Sequence, residues 1–224
     1  MEKFNNILIE FEGIDGIGKT SLIKQVKNRL QIDKSIFNNL VLEAPYHQHR
    51  SYNFLKDLMI FVPRNSQETT LMLKEFPKQM LKNMKYREKI LKKSLEKNLV
   101  LGDRSYLSTA VYNKLKIYQN EIPQEVLTEI FQKRIQPKFT FILIGKPLRK
   151  HSLNKFDSFI INNYQKVNDT YLDLLNKYYK KENYKIIYVD DYFLENYQTV
   201  IKEIVQIICN LVITNIEVTL EKGG

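Results

Sequence analysis

The segment that most constrains this chain is residues 9–21, IEFEGIDGIGKTS. Within it, GIDGIGKT at 13–20 satisfies the pattern GxxxxGK[ST], with an apolar run before it and an amphipathic run after it. The glycines Gly13, Gly16 and Gly18 let the backbone curl without Cβ clashes, so successive N–H groups and a helix N-terminus can face phosphate oxygens. The chain must therefore place a strand, a glycine-rich turn and a helix in immediate succession. This arrangement predicts a phosphate-binding loop.

Short apolar runs alternate with longer amphipathic runs along the rest of the chain. The runs predicted as strands are 4–13, 38–45, 98–105, 139–145 and 184–191. The helical patterns cover 19–31, 51–61, 66–97, 105–119, 123–136, 158–180 and 194–213. Pro77 predicts a break within the third of these helices. Continuously apolar strands indicate burial on both faces, so we predict an α/β fold: a three-layer sandwich of the P-loop NTPase kind, with a five-stranded parallel sheet flanked by helices.

The length of 224 residues and mass of 26.7 kDa favour a single domain over residues 1–224. A membrane-spanning helix needs about 18 or more apolar residues in a row, and no segment of the sequence has them. The first residues enter a strand-like run without a basic and apolar leader. The single cysteine, Cys209, cannot form an internal disulfide, which fits a reducing compartment. We expect a cytoplasmic protein with no membrane partner.

The formal charge of +10 raises the question of nucleic acid binding, because lysine and arginine neutralise phosphates. The basic residues are scattered, however, and 85–97 (KYREKILKKSLEK) has the pattern of a helix with a solvated basic face. We therefore expect no nucleic acid partner. A basic surface would also attract small anionic substrates.

The loop sequence predicts a set of contacts with ATP. Lys19 would reach the β and γ phosphates, and the hydroxyl of Thr20 would take a place on Mg²⁺. Asp15 is unfavourable inside an anion-binding loop unless it contacts magnesium or a substrate hydroxyl, whereas Glu12 is either functional or a polar strand end. The predicted ATP-binding residues are Gly13, Ile14, Asp15, Gly16, Ile17, Gly18, Lys19, Thr20 and Ser21.

Two motifs give the chain a resemblance to the thymidylate kinases. FEGIDGIGKTS is similar to the family's loop FEGxDGxGKTS, and DRSYLSTAVYN at 103–113 aligns without gaps on its DRYxxSSxAYQ pattern. A weaker match is FDSFIINNYQKVNDTYLDLL at 156–175. The resemblance covers most of the chain. It implies transfer of the ATP γ-phosphoryl group to dTMP, with Mg²⁺ as cofactor and a homodimer as the assembly.

Transfer to a nucleoside monophosphate needs no side-chain base, because the acceptor oxygen is already ionised. It needs two charged phosphates held in line, with their repulsion offset by cations. Arg104, after the predicted third strand, is our candidate clamp for the acceptor phosphate, and Asp103 would hold Mg²⁺ through water. A structural ion pair at a strand end is the alternative for both. The resemblance adds candidate substrate contacts, for which surface, core or helix-face positions are the ordinary alternatives: Lys56, Phe76, Thr109 and Asn113.

In the thymidylate kinases a lid segment usually follows the fourth strand, and in this chain the corresponding segment is short. The family places an arginine between the phosphates, from either the phosphate loop or the lid, and Ile17 occupies the variable loop position. The candidate lid at 145–159, GKPLRKHSLNKFDSF, is roughly ten residues shorter than we would expect. Arg149 is its single arginine and our candidate for this catalytic role. A solvated basic turn is the alternative.

Two other functions stay open on the sequence. LEAP at 42–45 resembles the strand-end glutamate segment of deoxynucleoside kinases, in which Glu43 would deprotonate a 5′ hydroxyl. The loop acid Asp15 argues against that assignment. The shortened lid also suits a nucleotide-binding paralogue with little turnover.

Overall fold

A computed structural model describes residues 7–30, 40–43, 65–95, 99–116, 121–148 and 155–221. These residues contain a parallel sheet with strand order β2-β3-β1-β4-β5. The strands are β1 Ile7–Gly13, β2 Leu40–Glu43, β3 Leu99–Asp103, β4 Phe139–Gly145 and β5 Tyr184–Val189. Strands β3, β1, β4 and β5 are described with their side chains. Strand β2 is described by its backbone and pairs with β3 at one edge of the sheet. The predicted parallel α/β sheet flanked by helices is confirmed.

Helices connect and cover the strands. They are α1 Lys19–Leu30, α2 Ser66–Leu95, α3 Tyr106–Lys114, α4 Gln124–Lys133, α5 Lys155–Asn162, α6 Tyr164–Tyr178, α7 Asp191–Glu195 and α8 Tyr197–Glu221. Helix α1 packs against β1, β3 and α8. Helices α3 and α6 pack against each other, and α3 also packs against β1 and α6 against β4. No helix in the described ranges has the length and apolar character that a membrane span requires.

Strand β1 lies in the middle of the sheet, and every one of its residues is buried. It pairs with β3 from Ile7 to Phe11 and with β4 from Ile9 to Gly13. Successive strand residues face opposite sides of a sheet, so one face of β1 carries Ile7, Ile9 and Phe11. The opposite face begins with an apolar group formed with α2 and β3, and continues into two glutamates. The members of that apolar group are Leu8, Leu91, Leu95 and Val100.

Two helix predictions were wrong. Helix α2 is continuous across Pro77, because proline removes only one backbone donor and the rest of a 30-residue helix keeps its hydrogen bonds. The predicted helix over 158–180 is two helices, α5 and α6, with Asn163 between them. The predicted helix at 51–61 lies outside the described residues. The C-terminal helix α8 continues to Glu221, beyond the predicted end at 213.

Candidate active site

The phosphate loop begins where β1 ends, at a position that only glycine can fill. Gly13 has φ +134°, and a Cβ there would lie 2.4 Å from the carbonyl oxygen of Leu143 on β4. Ile14 and Ile17 are fully buried and belong to the hydrophobic core. Their side chains therefore anchor the loop, and only their backbone N–H groups could reach a phosphate. Helix α1 then begins at Lys19, with its N-terminus at the loop.

Lys19 is folded back onto the loop. Its Nζ donates to the carbonyl oxygens of Gly13 at 2.8 Å and Ile14 at 2.7 Å. Burial, together with the nearby Arg104 charge, lowers the pKa of Lys19 to about 7, although Asp15 and Asp103 act in the opposite direction. A bound polyphosphate would supply the negative charge that favours the ammonium form.

Thr20 and Asp103 meet across the site. The Thr20 hydroxyl donates to Asp103 Oδ2 at 2.6 Å, from the first turn of α1 to the carboxyl end of β3. A hydroxyl and a carboxylate are the oxygen donors that Mg²⁺ accepts in nucleotide sites, so these two residues fit that ion. The structure thus brings together both predicted metal residues.

Arg104 lies at the centre of the acceptor side. It has φ +75°, which is uncommon for a residue with a side chain, and its backbone N–H donates to Phe11 O at 2.9 Å. Its guanidinium forms an ion pair with Asp15 and donates to Ser108 Oγ at 3.0 Å and Tyr112 Oη at 3.1 Å. This network fixes the guanidinium beside the loop.

Asp15 is held as a carboxylate within this network. Burial alone would raise its pKa, but the Arg104 guanidinium and the Lys19 ammonium outweigh that effect and lower the pKa of Asp15. Its other oxygen accepts from Tyr112 Oη at 3.1 Å. The Asp15 side chain is 36% exposed and that of Arg104 15%, so part of the ion pair remains open to a ligand.

A buried polar cluster lies directly behind Arg104. Glu12 is fully buried and accepts from the backbone N–H of Ser105 at 2.6 Å and from the Ser105 hydroxyl, and its other oxygen contacts the Ser108 hydroxyl. Ser105 also caps the N-terminus of α3 by accepting from Leu107 N at 3.1 Å. On α6, the Tyr171 hydroxyl lies 2.9 Å from Ser108 Oγ.

Two of the remaining predicted substrate contacts, Thr109 and Asn113, lie in the described part of the chain. Thr109 is buried on α3, one residue after Ser108. The amide of Asn113 donates to Ile122 O at 3.0 Å and accepts from Ile122 N at 2.6 Å, so it holds the segment before α4. Base reading by either residue stays a prediction. Among the remaining loop residues, Ser21 is exposed on α1.

Several predicted residues lie outside the described part of the chain. Lys56 and Arg149 are among them, as are the side chains of Phe76 on α2 and Glu43 on β2. The residue before Arg149 is described, and it contacts the phosphate loop. The backbone N–H of Leu148 donates to Gly16 O at 2.9 Å, and its Cδ1 would lie 3.3 Å from a Cβ on Gly18.

Sequence reasoning gave no role to several residues of the buried cluster. Glu10 and Glu12 interrupt an otherwise apolar strand two positions apart, and such acids need buried partners. Glu10 pairs with Arg134 at 3.3 Å and accepts from Tyr179 Oη at 3.2 Å. That spacing was the available signal, but it could not identify the partners. Arg134, for example, lies 124 residues from Glu10 in the sequence.

Comparison with known protein families assigns the chain. A family model described as thymidylate kinase matches residues 11–204, which spans both the phosphate loop and the Arg104 segment. The chain belongs to the thymidylate kinase family. Membership makes it an ATP-dependent phosphotransferase of the nucleoside monophosphate kinase class, acting on dTMP. No curated protein matches it in a sequence comparison.

Solved thymidylate kinase structures share the fold. The enzyme from Ehrlichia chaffeensis is 22% identical, with a TM-score of 0.55 over 91% of this chain and 98% of its own. The enzyme from Candida albicans is 17% identical, with a TM-score of 0.59 over 92% of this chain and 94% of its own. The thymidylate kinase fold thus extends over nearly the whole chain.

Proposed function

We propose that residues around Gly13 carry out the transfer of the ATP γ-phosphoryl group to dTMP, giving dTDP and ADP. One observation carries the assignment of the site. Lys19 and Arg104 both donate to the carbonyl oxygen of Gly13, at 2.8 Å and 3.3 Å. A cation suited to the donor phosphates and one suited to the acceptor phosphate are therefore both held at a single backbone carbonyl.

The donor half consists of the loop and the start of α1. Backbone N–H groups of residues 13–21 would bind the phosphates of ATP, and Lys19 would leave the Gly13 and Ile14 carbonyls for the β and γ phosphates. Thr20 and Asp103 would hold Mg²⁺, which offsets phosphate charge when bound. Their existing contact of 2.6 Å supports this pair as the metal residues.

The acceptor half centres on Arg104. Its guanidinium would bind the dTMP phosphate, and Asp15 would accept a hydrogen bond from a sugar hydroxyl at the exposed side of the ion pair. No side chain has to remove a proton, because the attacking phosphate oxygen is already ionised. The site therefore works by positioning and by charge compensation.

Arg149 is our proposed source of positive charge between the two phosphates. The contact of Leu148 with the phosphate loop supports this choice, because Arg149 is the next residue in the sequence. Loss of an arginine in such a position typically costs on the order of 10³-fold or more in rate. Replacing Arg149 with alanine, with Lys150→Ala as the neighbouring control, tests the assignment through kcat.

The first experiment is an ADP-release assay with ATP and Mg²⁺, offering dTMP, dUMP, dCMP, dGMP and thymidine separately. We expect turnover with dTMP and none with thymidine. The Candida albicans structure is described as revealing the origin of broad substrate specificity in that enzyme, so the other monophosphates belong in the panel. Turnover on thymidine alone would contradict the proposal and point to Glu43 as a base. Binding of ATP and dTMP without dTDP formation would favour the binding-protein alternative.

A homodimer and a cytoplasmic location stay predictions from the sequence. Light scattering of the purified full chain at several concentrations tests the first. Lys56, Phe76, Thr109 and Asn113 stay proposed acceptor contacts, and single alanine variants scored by KM for dTMP test each of them.

A further inference from the structure

A chain of contacts runs from the buried carboxyl group of Glu12 to the first carbonyl of the phosphate loop. Glu12 Oε2 contacts Ser108 Oγ, and Ser108 Oγ lies 2.9 Å from Tyr171 Oη. Tyr171 Oη in turn lies 3.2 Å from Gly13 O. Ser108 Oγ also accepts from Arg104 Nη1 at 3.0 Å, so the chain touches both halves of the active site.

The number of protons available to this chain of contacts indicates whether Glu12 is ionised or neutral. It contains three oxygen-to-oxygen contacts, whereas the hydroxyls of Ser108 and Tyr171 supply one proton each. With an ionised Glu12, one of the three contacts has no proton and becomes a repulsion between lone pairs. With a neutral carboxyl group, Glu12 donates to Ser108, Ser108 donates to Tyr171, and Tyr171 donates to Gly13 O. Every contact is then a hydrogen bond.

The other oxygen of Glu12 is consistent with this arrangement. Oε1 accepts from Ser105 N at 2.6 Å, from Ser105 Oγ and from Ser108 N at 3.3 Å. A neutral carboxyl group with its proton on Oε2 keeps that acceptor intact.

The surrounding charges favour the same state. Arg104 is paired with Asp15, and Arg134 is paired with Glu10 on β1. Within the described residues, Glu12 forms no ion pair, and the groups that contact it from α3 are hydrogen-bond donors without charge. Burial raises the pKa of Glu12, and so does the nearby Glu10 carboxylate, while the serine hydrogen bonds and Arg104 oppose them.

We propose that Tyr171 is a positioning residue for phosphoryl transfer, held by a chain of hydrogen bonds that starts at a neutral Glu12 and passes through Ser108. This proposal deepens the proposed function and rests on it. Tyr171 fixes the Gly13 carbonyl from α6. When Lys19 leaves that carbonyl for the phosphates, the bonds from Tyr171 and Arg104 remain. The loop therefore keeps its position while the lysine moves.

Tyr171→Phe tests the positioning role because it keeps the ring and removes only the hydroxyl. We expect kcat to fall about tenfold while the KM values for ATP and dTMP stay within about twofold, since the lost bond matters most when Lys19 is on the phosphates. The matched control is Tyr179→Phe. Tyr179 is a half-buried tyrosine directly after α6, and its hydroxyl bonds to Glu10 and Ser105 instead of the loop. A kcat for Tyr171→Phe equal to that of Tyr179→Phe would overturn the positioning role.

Glu12→Gln and Glu12→Ala test the protonation state. Glutamine can donate to Ser108 and accept from Ser105 as a neutral carboxyl group does, so we expect its kcat to stay within about threefold of wild type. Alanine leaves the serine donors without an acceptor, and its kcat should fall well below that of the glutamine variant. Equal losses in both variants would overturn the proposed neutral state.

A third measurement does not depend on turnover. The infrared difference spectrum between wild type and Glu12→Gln at pH 8 should contain the C=O band of a protonated carboxyl group, lost in the variant. A carboxylate band in its place would refute the neutral state even if the wild-type chain had no activity on any acceptor. Inactivity of the wild type would refute the proposed function, and the infrared result would still decide the state of Glu12.

Discussion

At the scale of single residues, the site depends on charges that are buried before any ligand arrives. The Lys19 ammonium and the Arg104 guanidinium both lie beside Gly13 O, and Asp15 is the carboxylate that offsets the second of them. Burying these groups costs free energy, which a folded chain retains only when function or hydrogen bonding requires it. Replacing Lys19 or Arg104 should therefore have one effect on catalysis and a separate effect on the free energy of unfolding.

Lys19→Ala should abolish most of the activity without unfolding the chain. We expect kcat to fall on the order of 10²–10³-fold, as for the loss of one preorganised donor. Because the pKa of Lys19 is about 7 in the fold and 10.5 is its ordinary value, the folded state binds fewer protons than the unfolded state between these pH values. Wild type should thus gain stability relative to the variant as pH rises from 7 to 9, by about 2 kcal/mol.

Urea unfolding of both proteins at pH 7, 8 and 9 measures this difference. A difference in the free energy of unfolding that stays constant with pH would contradict the assignment of a depressed Lys19 pKa. Retained turnover in Lys19→Ala would contradict the assignment of the phosphate loop.

Arg104→Ala should chiefly weaken use of the acceptor. Hydrogen bonds to charged groups contribute about 1.5–3 kcal/mol, so we expect KM for dTMP to rise about 10- to 100-fold with KM for ATP within a fewfold. Lys114→Ala on α3 is a suitable control, because Lys114 forms an exposed ion pair with Asp173 at 3.1 Å, away from the loop. A change confined to the ATP dependence would mean that Arg104 serves the donor instead.

At the scale of elements, α3 is linked to the sheet beside the acceptor site by the residue that caps its N-terminus. Ser105 is fully buried, caps the helix and bonds to Glu12, so the start of α3 is fixed from two directions. The DRYxxSSxAYQ pattern has tyrosine where this chain has Ser105, so an aromatic side chain is replaced by a small polar one. The serine side chain points into the protein interior. Its role is therefore to hold the helix that carries Ser108 and Tyr112.

Ser105→Ala should destabilise the chain by about 2–3 kcal/mol, because it removes the cap and leaves a buried carboxyl group with one partner fewer. Asp190→Ala is the matched control, since Asp190 caps the five-residue helix α7 by accepting from Phe193 N at 2.9 Å. That variant should lose about 1 kcal/mol. Thermal unfolding of both compares the two caps, and equal losses would show that the contact with Glu12 contributes nothing.

The elements were largely predictable, and the contacts between them were not. Strands β1 and β4 and helix α1 could be located because apolar runs and the glycine pattern leave few alternatives. The prediction of a break at Pro77 failed because one missing backbone donor does not end a long helix. The pairing of Glu12 with Ser105 depends on how β1 and α3 meet, and no local signal in either segment states it.

At the scale of the whole molecule, the proposed site places the two substrates on different elements, at the carboxyl ends of β1 and β3. ATP would bind at the loop and α1, whereas dTMP would bind near Arg104 after β3. Each ligand should therefore stabilise the fold by its own amount, about 2.7 kcal/mol at a concentration 100 times its Kd. We expect Lys19→Ala to lose most of the stabilisation by ATP and Arg104→Ala most of that by dTMP, each keeping the other.

Thermal unfolding with each ligand alone and with both together measures this separation. The same loss for both ligands in either variant would mean that the substitution disturbs the whole site. Thymidine, on which we expect no turnover, serves as the control for nonspecific effects of a nucleoside.

The buried contacts of Glu12 have a consequence for the history of the sequence. Ser105, Ser108 and Tyr171 each share a proton or an acceptor with this carboxyl group or with its direct partner. A change at one of these positions leaves a buried polar group unsatisfied unless another position changes with it. The four positions should therefore vary together among related chains, or remain unchanged. Such a linked set can guide the alignment of distant relatives when the overall identity is as low as 17%.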